Sequence, residues 1–290
     1  MVPQVVKSQL AKAGWQVHEA IPVGGGCITQ AARVDTNRGP LFLKWGNNEV
    51  ARTFPPEAKG LEALKQAAHN LHIPTVYEVF WSPEEQVGFL AMEWIHKGEK
   101  RASFWEDFGH GLAEMHRFTA ERYGFESDNF IGRMPQYNRW HTRWPDFFRE
   151  NRLLPQMQWA RERGYWRSAW ELWAERLLGR LEEYLPEAPP ASLVHGDLWS
   201  GNVLVTESGT PALVDPAVYY GHREVDLAMT RLFGGFAPRF YEAYQEAWPL
   251  EPGYREREEL YNLYHLLNHL NLFGWGYASG VERVLKAFGA

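Results

Sequence analysis

Residues 193–205, "LVHGDLWSGNVLV", put His195, Asp197, Trp199 and Asn202 inside a run that otherwise reads as buried strand. Polar groups in apolar surroundings cost free energy unless they are paired or used in chemistry. The next residues sharpen the question. "VLV", a turn "TESGT" and "PALV" make a hairpin ending at Asp215. Asp197, Asn202 and Asp215 should then meet at one edge of that hairpin. The asparagine and the second aspartate supply oxygen ligands for a hard cation and leave Asp197 as an acid–base group. Magnesium takes few protein ligands and shares itself with substrate phosphates, so two ligands suit phosphoryl transfer. The plainer alternative is a pair of loop-capping aspartates.

The spacing Asp-x4-Asn, then an aspartate after a hairpin, resembles the catalytic and metal loops of protein-kinase-like enzymes. "HGD" stands for their His-Arg-Asp and "DPA" for their Asp-Phe-Gly. An N-terminal strand should then carry a lysine for the nucleotide phosphates, paired with a helix glutamate. Lys44 in "LFLKW" is a lone cation between apolar neighbours, and Glu57 in "PPEAKGLEAL" is the chosen partner, with Glu49 and Glu62 as rivals. Gly24, Gly25 and Gly26, one strand pair earlier, suit a loop whose backbone approaches phosphate closely. In "AMEWI" the backbone of Glu93, Trp94 and Ile95 could bind adenine at a hinge, or could be an ordinary strand exit.

The chain has 290 residues, 45% hydrophobic and 23% charged, so it can bury real cores. Its net charge of −6 argues against a general binder of nucleic acid or anionic membrane. A single cysteine, Cys27, excludes an internal disulfide and suits a reducing, cytoplasmic setting. No apolar run approaches the roughly 20 residues that span a bilayer, and no signal segment stands out.

Along the chain, a short helix at 2–12 precedes strands from 16 to 45. A helix follows Pro55–Pro56, then a strand pair closes with "VGFLAMEWI". Beyond "HKGEK" the pattern turns helical. Phe104, Phe108, Leu112 and Met115 share one face; Trp166, Trp170, Trp173, Leu177, Leu181 and Tyr184 mark another. Helices follow near 224–233, 237–247 and 255–273. The fold expected is α+β and bilobal: a small β-rich lobe at 1–94 with one main helix, and a larger, mostly helical lobe at 95–290.

Ten residues separate Asp215 from Asp226, too few for the segment with which a protein kinase cradles a peptide. A small acceptor follows, or a small group projecting from a larger body. Asp226 is expected to open a helix and hold the catalytic loop.

"GGGCIT", "FLKW", "EAKGLEAL", "SDNFIGRMPQYN", "WPDFFRENRL", "LVHGDLWSGNVL" and "VDPAVYYGHREVDLAM" together resemble the fructosamine/ketosamine-3-kinase family, a relative of the aminoglycoside phosphotransferases. The resemblance implies ATP- and Mg2+-dependent phosphorylation of the 3-hydroxyl of a ketosamine, the sugar adduct that glycation leaves on an amine. The product is unstable, so the activity serves deglycation. It implies Asp197 as catalytic aspartate, Asn202 and Asp215 as metal ligands and Lys44 as the phosphate lysine. The substrate is a free or protein-linked ketosamine, and the chain acts as a monomer or homodimer. Rivals are a related kinase for an aminoglycoside, choline or homoserine, and a catalytically silent nucleotide binder.

For the sugar, Trp199 offers an indole face or packs beneath its loop. His265, Asn268 and His269, at i, i+3 and i+4, form a polar stripe on an otherwise apolar helix. That stripe recognises hydroxyls or satisfies a core. Cys27, in the glycine-rich loop, is a candidate for redox control.

Overall fold

The computed structural model describes residues 1–24 and 29–290. Helix α1 (Gln4–Lys12) leads into β1 (Val17–Pro22), β2 (Gln30–Thr36) and β3 (Gly39–Asn47). A one-turn helix α2 (Asn48–Ala51) and the longer α3 (Phe54–Ala67) precede β4 (Val76–Ser82) and β5 (Val87–Glu93). The five strands form one antiparallel sheet in the order β1-β2-β3-β5-β4. Pro55 and Pro56 open α3, where a missing N–H costs nothing.

Strand alternation divides the sheet's two faces. On β3, Leu41, Leu43 and Trp45 point outward and pack with Val6 and Leu10 of α1 in a small core. Phe42 and Lys44 therefore point the other way, and Lys44 meets Glu57 of α3 there. The apolar side of α3, with Phe54, Ala58, Leu61 and Leu64, belongs to the same continuous core as the C-terminal helices. Gly60 lets α3 approach the chain after Asp215. A Cβ at that position would lie 3.2 Å from Val218.

After β5 come α4 (Phe104–His116), β6 (Thr119–Ala120), a hairpin of β7 (Asn129–Ile131) and β8 (Met134–Gln136), and α5 (Trp144–Phe147). A π-helical turn, Phe148–Leu153, passes into α6 (Leu154–Glu162). Then follow α7 (Trp170–Gly179), α8 (Leu181–Tyr184), β9 (Ala191–Val194), the hairpin β10 (Val203–Val205) with β11 (Pro211–Leu213), and β12 (Tyr219–His222). The chain ends with α9 (Glu224–Leu232), α10 (Pro238–Ala247), α11 (Tyr254–Phe273) and α12 (Ala278–Gly289). Among the described residues no helix is long and apolar enough to cross a membrane.

The face marked by Phe104, Phe108, Leu112 and Met115 is buried on α4. The tryptophan-rich stretch departs from its expected single helix. Trp166 precedes α7, and the helix breaks at Arg180 before α8. Helix α12 and strand β12 were not anticipated. The latter, inside "VYYGHREV", pairs with β9, so the short segment after Asp215 is built into a sheet.

Candidate active site

Strand β9 delivers the chain to His195, and Gly196 turns it at φ +82. A Cβ there would collide with the Ala217 carbonyl 2.0 Å away, so glycine is required twice over, by torsion and by space. Asp226 of α9 holds the turn. Its carboxylate accepts from the backbone N–H of His195 at 2.7 Å and of Gly196 at 2.9 Å. His116 Nε2 donates to the same group at 3.1 Å, while Tyr244 Oη donates to His116 Nδ1. Burial alone would raise the Asp226 carboxyl, but His116, His195 and the Gly196 N–H hold it below its ordinary value. The buried His195 imidazole is pushed down and stays neutral. Its Nε2–H donates to the Val214 carbonyl at 3.0 Å, tying the catalytic loop to the far strand of the hairpin.

The polar groups of the 193–205 run are paired or gathered at one edge of the hairpin. Asn202 Nδ2 donates to the Asp197 carbonyl at 2.8 Å and to Asp197 Oδ2 at 3.1 Å. Val214 N–H donates to the Asn202 carbonyl at 3.1 Å, placing Asp215 beside Asn202 across the hairpin. Asp215 adopts φ +55, an uncommon torsion outside glycine that turns its carboxylate out of the strand line. Asp215 Oδ1 receives Lys44 Nζ at 2.5 Å, and Glu57 Oε1 receives the same ammonium at 2.8 Å. Glu57 therefore takes the lysine, in preference to Glu49 and Glu62. Burial would push Lys44 down; the charges of Asp215 and Glu57 outweigh it and hold the ammonium above its ordinary range.

Asp197 has the environment of a proton acceptor. Burial raises its carboxyl to about 7, reinforced by the charges of Asp215 and Asp226 and opposed only by Asn202. A group poised there can take a proton and release it at neutral pH. Asn202 is only 6% exposed, yet its Oδ1 makes no hydrogen bond among the described residues, because the amide is oriented by its nitrogen. Asp215 keeps Oδ2 free on a side chain 50% exposed. Two uncommitted oxygens on adjacent strand ends fit a hard cation that draws its remaining ligands from phosphate and water. No cluster of three or more His, Cys, Asp or Glu side chains offers a metal cage among the described residues.

Of the phosphate-loop glycines, Gly24 lies exposed just after β1 with open space around it. Gly25, Gly26 and Cys27 lie outside the described residues. Glu93 ends β5, and its carboxylate is occupied by Thr75 N–H at 3.1 Å and His72 Nε2 at 2.9 Å. Its backbone N–H also goes to Thr75. Among the described residues, the hinge groups without internal hydrogen bonds are the backbones of Trp94 and Ile95. Trp94 itself lies between Phe42 and Arg33.

On the acceptor side, Trp199 is 37% exposed and folds its indole over Gly201, where a Cβ would be 2.4 Å from the ring. Its edge meets Phe233, which packs on His269 with ring centroids 4.8 Å apart. Trp199 and His269 thus stand on one aromatic wall. His269 Nδ1–H donates to the His265 carbonyl at 2.8 Å, and burial pushes this imidazole down, leaving Nε2 as an acceptor. Asn268 is fully buried, and its oxygen accepts from Gln156 at 3.3 Å. His265 is lowered to about 3, by burial and by His269, and its buried Nδ1 has no partner.

Sequence reasoning quoted "SDNFIGRMPQYN" and "WPDFFRENRL" but assigned them no role. Gln136 Nε2 donates to the Ala217 carbonyl and Asn129 Nδ2 to the Val218 carbonyl, bracing the segment after Asp215. Tyr264 Oη donates to Gln136 at 2.7 Å. Arg152, fully buried without a carboxylate partner, donates to Asn138 and to the Tyr137 and Asn151 carbonyls, with its guanidinium 3.9 Å from the Tyr219 ring centroid. The legible signal was a cluster of amides and one arginine among large apolar residues.

The chain matches the family described as fructosamine kinase over residues 2–289. It is 38% identical over 282 residues to a Synechocystis protein named "Probable ketoamine kinase", covering 96% of this chain and 93% of that one. It is 37% identical over 276 residues to the chloroplastic protein-ribulosamine 3-kinase of Arabidopsis thaliana, covering 94% and 83%. The crystal structure of a candidate fructosamine-3-kinase from Thermobifida fusca superposes with a TM-score of 0.88 at 33% identity, over 99% of both chains. An aminoglycoside phosphotransferase shares the fold at 16% identity and a TM-score of 0.64, with 98% of this chain and 99% of that one covered. The architecture is that of the protein-kinase-like phosphotransferases, and the chain belongs to the fructosamine kinase family.

Proposed function

We propose that the protein transfers the γ-phosphoryl group of ATP to the 3-hydroxyl of a ketosamine, serving deglycation. The observation that carries this is the convergence of Lys44, Glu57 and Asp215 with Asp197 and Asn202 on one hairpin edge. The relatives' names supply the acceptor class.

In this reading residues 1–94 face the nucleotide and residues 95–290 face the acceptor. Lys44, steadied by Glu57, moves from Asp215 onto the phosphates. Asn202 Oδ1 and the Asp215 carboxylate would hold Mg2+, whose charge would offset that of the triphosphate. Backbone of the Gly24–Gly26 loop and of Trp94–Ile95 positions phosphates and adenine. The acceptor oxygen attacks the γ-phosphorus, the bond to the β–γ bridging oxygen breaks, and ADP leaves. The hydroxyl proton passes to Asp197, whose elevated carboxyl suits that transfer. Trp199 and His269 face the sugar. Its short post-Asp215 segment, locked by β12, suits an acceptor without an extended peptide.

The test is ADP release with ATP and Mg2+ against fructosamine, ribulosamine and erythrulosamine, each free and lysine-linked, beside choline, homoserine and an aminoglycoside. Phosphorylation at the sugar 3-position of a ketosamine is expected. Transfer only to one of the other alcohols, or nucleotide binding with no transfer at all, would overturn the assignment.

A further inference from the structure

A crevice of about 340 Å³ opens between α2, the β7–β8 turn, α6 and the end of α11, and none of its lining residues belongs to the hairpin that ends at Asp215. Arg52, Arg133 and Arg163 line it, with Glu49 on the rim and Asn271 in the wall. None of the three arginines has a carboxylate partner among the described residues. By contrast, Arg139, Arg143, Arg149 and Arg161, in the same stretch of chain, are all ion-paired. The crevice arginines are nonetheless placed. Arg163 donates to the Asn271 carbonyl at 2.6 Å, and Arg52 donates to the Glu49 carbonyl while its guanidinium lies 5.2 Å from the Phe130 ring centroid. In a chain of net charge −6, three converging, unneutralised guanidiniums mark a local attraction for an anion.

A second observation defines the rest of the ligand. Asn271 is 5% exposed, and its Oδ1 is buried with no partner, because Nδ2 is committed to the backbone and side chain of Gln156. A buried acceptor without a donor is costly, and a hydroxyl reaching Asn271 would relieve it. Glu49 Oε atoms, free of any ion pair, offer a second acceptor.

We propose that this crevice binds a small hydroxylated anion of sugar-phosphate size, its anionic group on Arg52, Arg133 and Arg163 and its hydroxyls on Asn271 and Glu49. The volume falls in the range of small-molecule sites. The position gives such a ligand leverage. Helix α2 joins the strand carrying Lys44 to the helix carrying Glu57, and the β7–β8 hairpin braces Ala217 through Gln136. An anion bridging α2 to the hairpin turn would clamp the elements on which Lys44 and Asp215 depend. The inference needs no part of the kinase reading, since binding can be measured without turnover.

The experiment is titration calorimetry with glucose 6-phosphate, inorganic phosphate and glucose, each with and without saturating ADP. The expected result is saturable binding of glucose 6-phosphate, at least tenfold weaker for inorganic phosphate and absent for glucose, and retained with ADP bound. Arg133→Ala and Arg52→Ala should each weaken it tenfold or more at unchanged melting temperature, and Arg122→Ala, which lies over Trp140 and lines no part of the crevice, should not. Absence of saturable binding, loss of binding with ADP, or full binding by the Arg52→Ala/Arg133→Ala double variant overturns the site. Equal affinity for inorganic phosphate and glucose 6-phosphate overturns the role of Asn271 and Glu49.

Discussion

The hairpin that ends at Asp215 and helix α11 both carry polar side chains among apolar ones, yet they treat them differently. On the hairpin, each hydrogen bond fixes a group by one atom and leaves another uncommitted: Asn202 is held by Nδ2 and keeps Oδ1, and Asp215 binds Lys44 by Oδ1 and keeps Oδ2. On α11, Asn268 and Asn271 face Gln156, Asn262 donates to the Ala228 carbonyl, and Tyr264 donates to Gln136. Those bonds join α11 to α6, α9 and β8, and the atoms left over, Asn262 Oδ1, His265 Nδ1 and Asn271 Oδ1, are buried, whereas Asp215 keeps its free oxygen on a half-exposed side chain. A site differs from a polar core in which atoms are left over, more than in how many polar residues it holds. His269 is the point where the two regions meet, through Phe233 and Trp199.

The sharpest way to break this contrast is to remove the proton acceptor. Asp197→Asn should lower turnover by about 10²–10⁴-fold while the dissociation constant for ATP changes little. Full turnover would strip Asp197 of its role. Glu57→Gln should cost roughly 10–100-fold in kcat/KM, because Lys44 loses the partner that orients it and swings wholly to Asp215. Single-turnover kinetics would show the loss at the chemical step or in ATP binding; wild-type values would disconnect the pair from catalysis.

On α11 the expectation reverses. Asn268→Ala should lower stability by about 1–3 kcal/mol through the stranded Gln156 amide, with kcat nearly unchanged. His269→Ala should instead raise the KM for the sugar several-fold and leave the KM for ATP alone. Urea unfolding alongside initial-rate assays separates the two, and a swap of those outcomes would move the boundary between site and core.

The smallest effect concerns pH. The folded Asp197 carboxyl stands near 7, above the ordinary value of 3.8, so the native state binds the extra proton between those values. Its contribution to stability is present below about pH 4 and fades as pH rises through 7. Asp197→Asn should therefore raise the melting temperature by a few degrees at pH 8 and not at pH 4. Activity carries the opposite sign. The base must be unprotonated, so kcat/KM should climb with pH up to about 7 in the wild type. An activity profile flat from pH 5 to 8 would contradict the buried-carboxylate account.

Much of the site was readable because it is local in the chain. Asp197, Asn202 and Asp215 lie within one loop and hairpin, where spacing nearly dictates proximity. The strand that carries Lys44 was visible as an apolar run after the turn "NRGP", with the lysine its lone cation, and the helix bearing Glu57 from its prolines and periodicity. Less was readable where contacts are distant or mixed. Tryptophans at helical spacing suggested one helix through 166–184, but the periodicity of large apolar residues says nothing about the break at Arg180. Strand β12 was hidden in a segment read for its shortness, because its pairing partner lies in β9, far back along the chain. The stripe on α11 was seen, but not that Asn268 meets Gln156 while His269 packs on Phe233, since both partners arrive from other parts of the chain.

By itself the sequence determined local placement: an aspartate and an asparagine on one loop, a second aspartate at the end of the hairpin that follows, a lysine on an apolar strand, and only ten residues between Asp215 and Asp226. Tertiary structure alone decided that Lys44 reaches Asp215, 171 residues away, that Glu57 is its other partner, and that Arg52, Arg133 and Arg163 share one crevice. The reason is physical. Torsions and short-range spacing are written residue by residue, whereas a meeting of distant side chains depends on how whole faces pack, as when Gly60 lets α3 close on Val218.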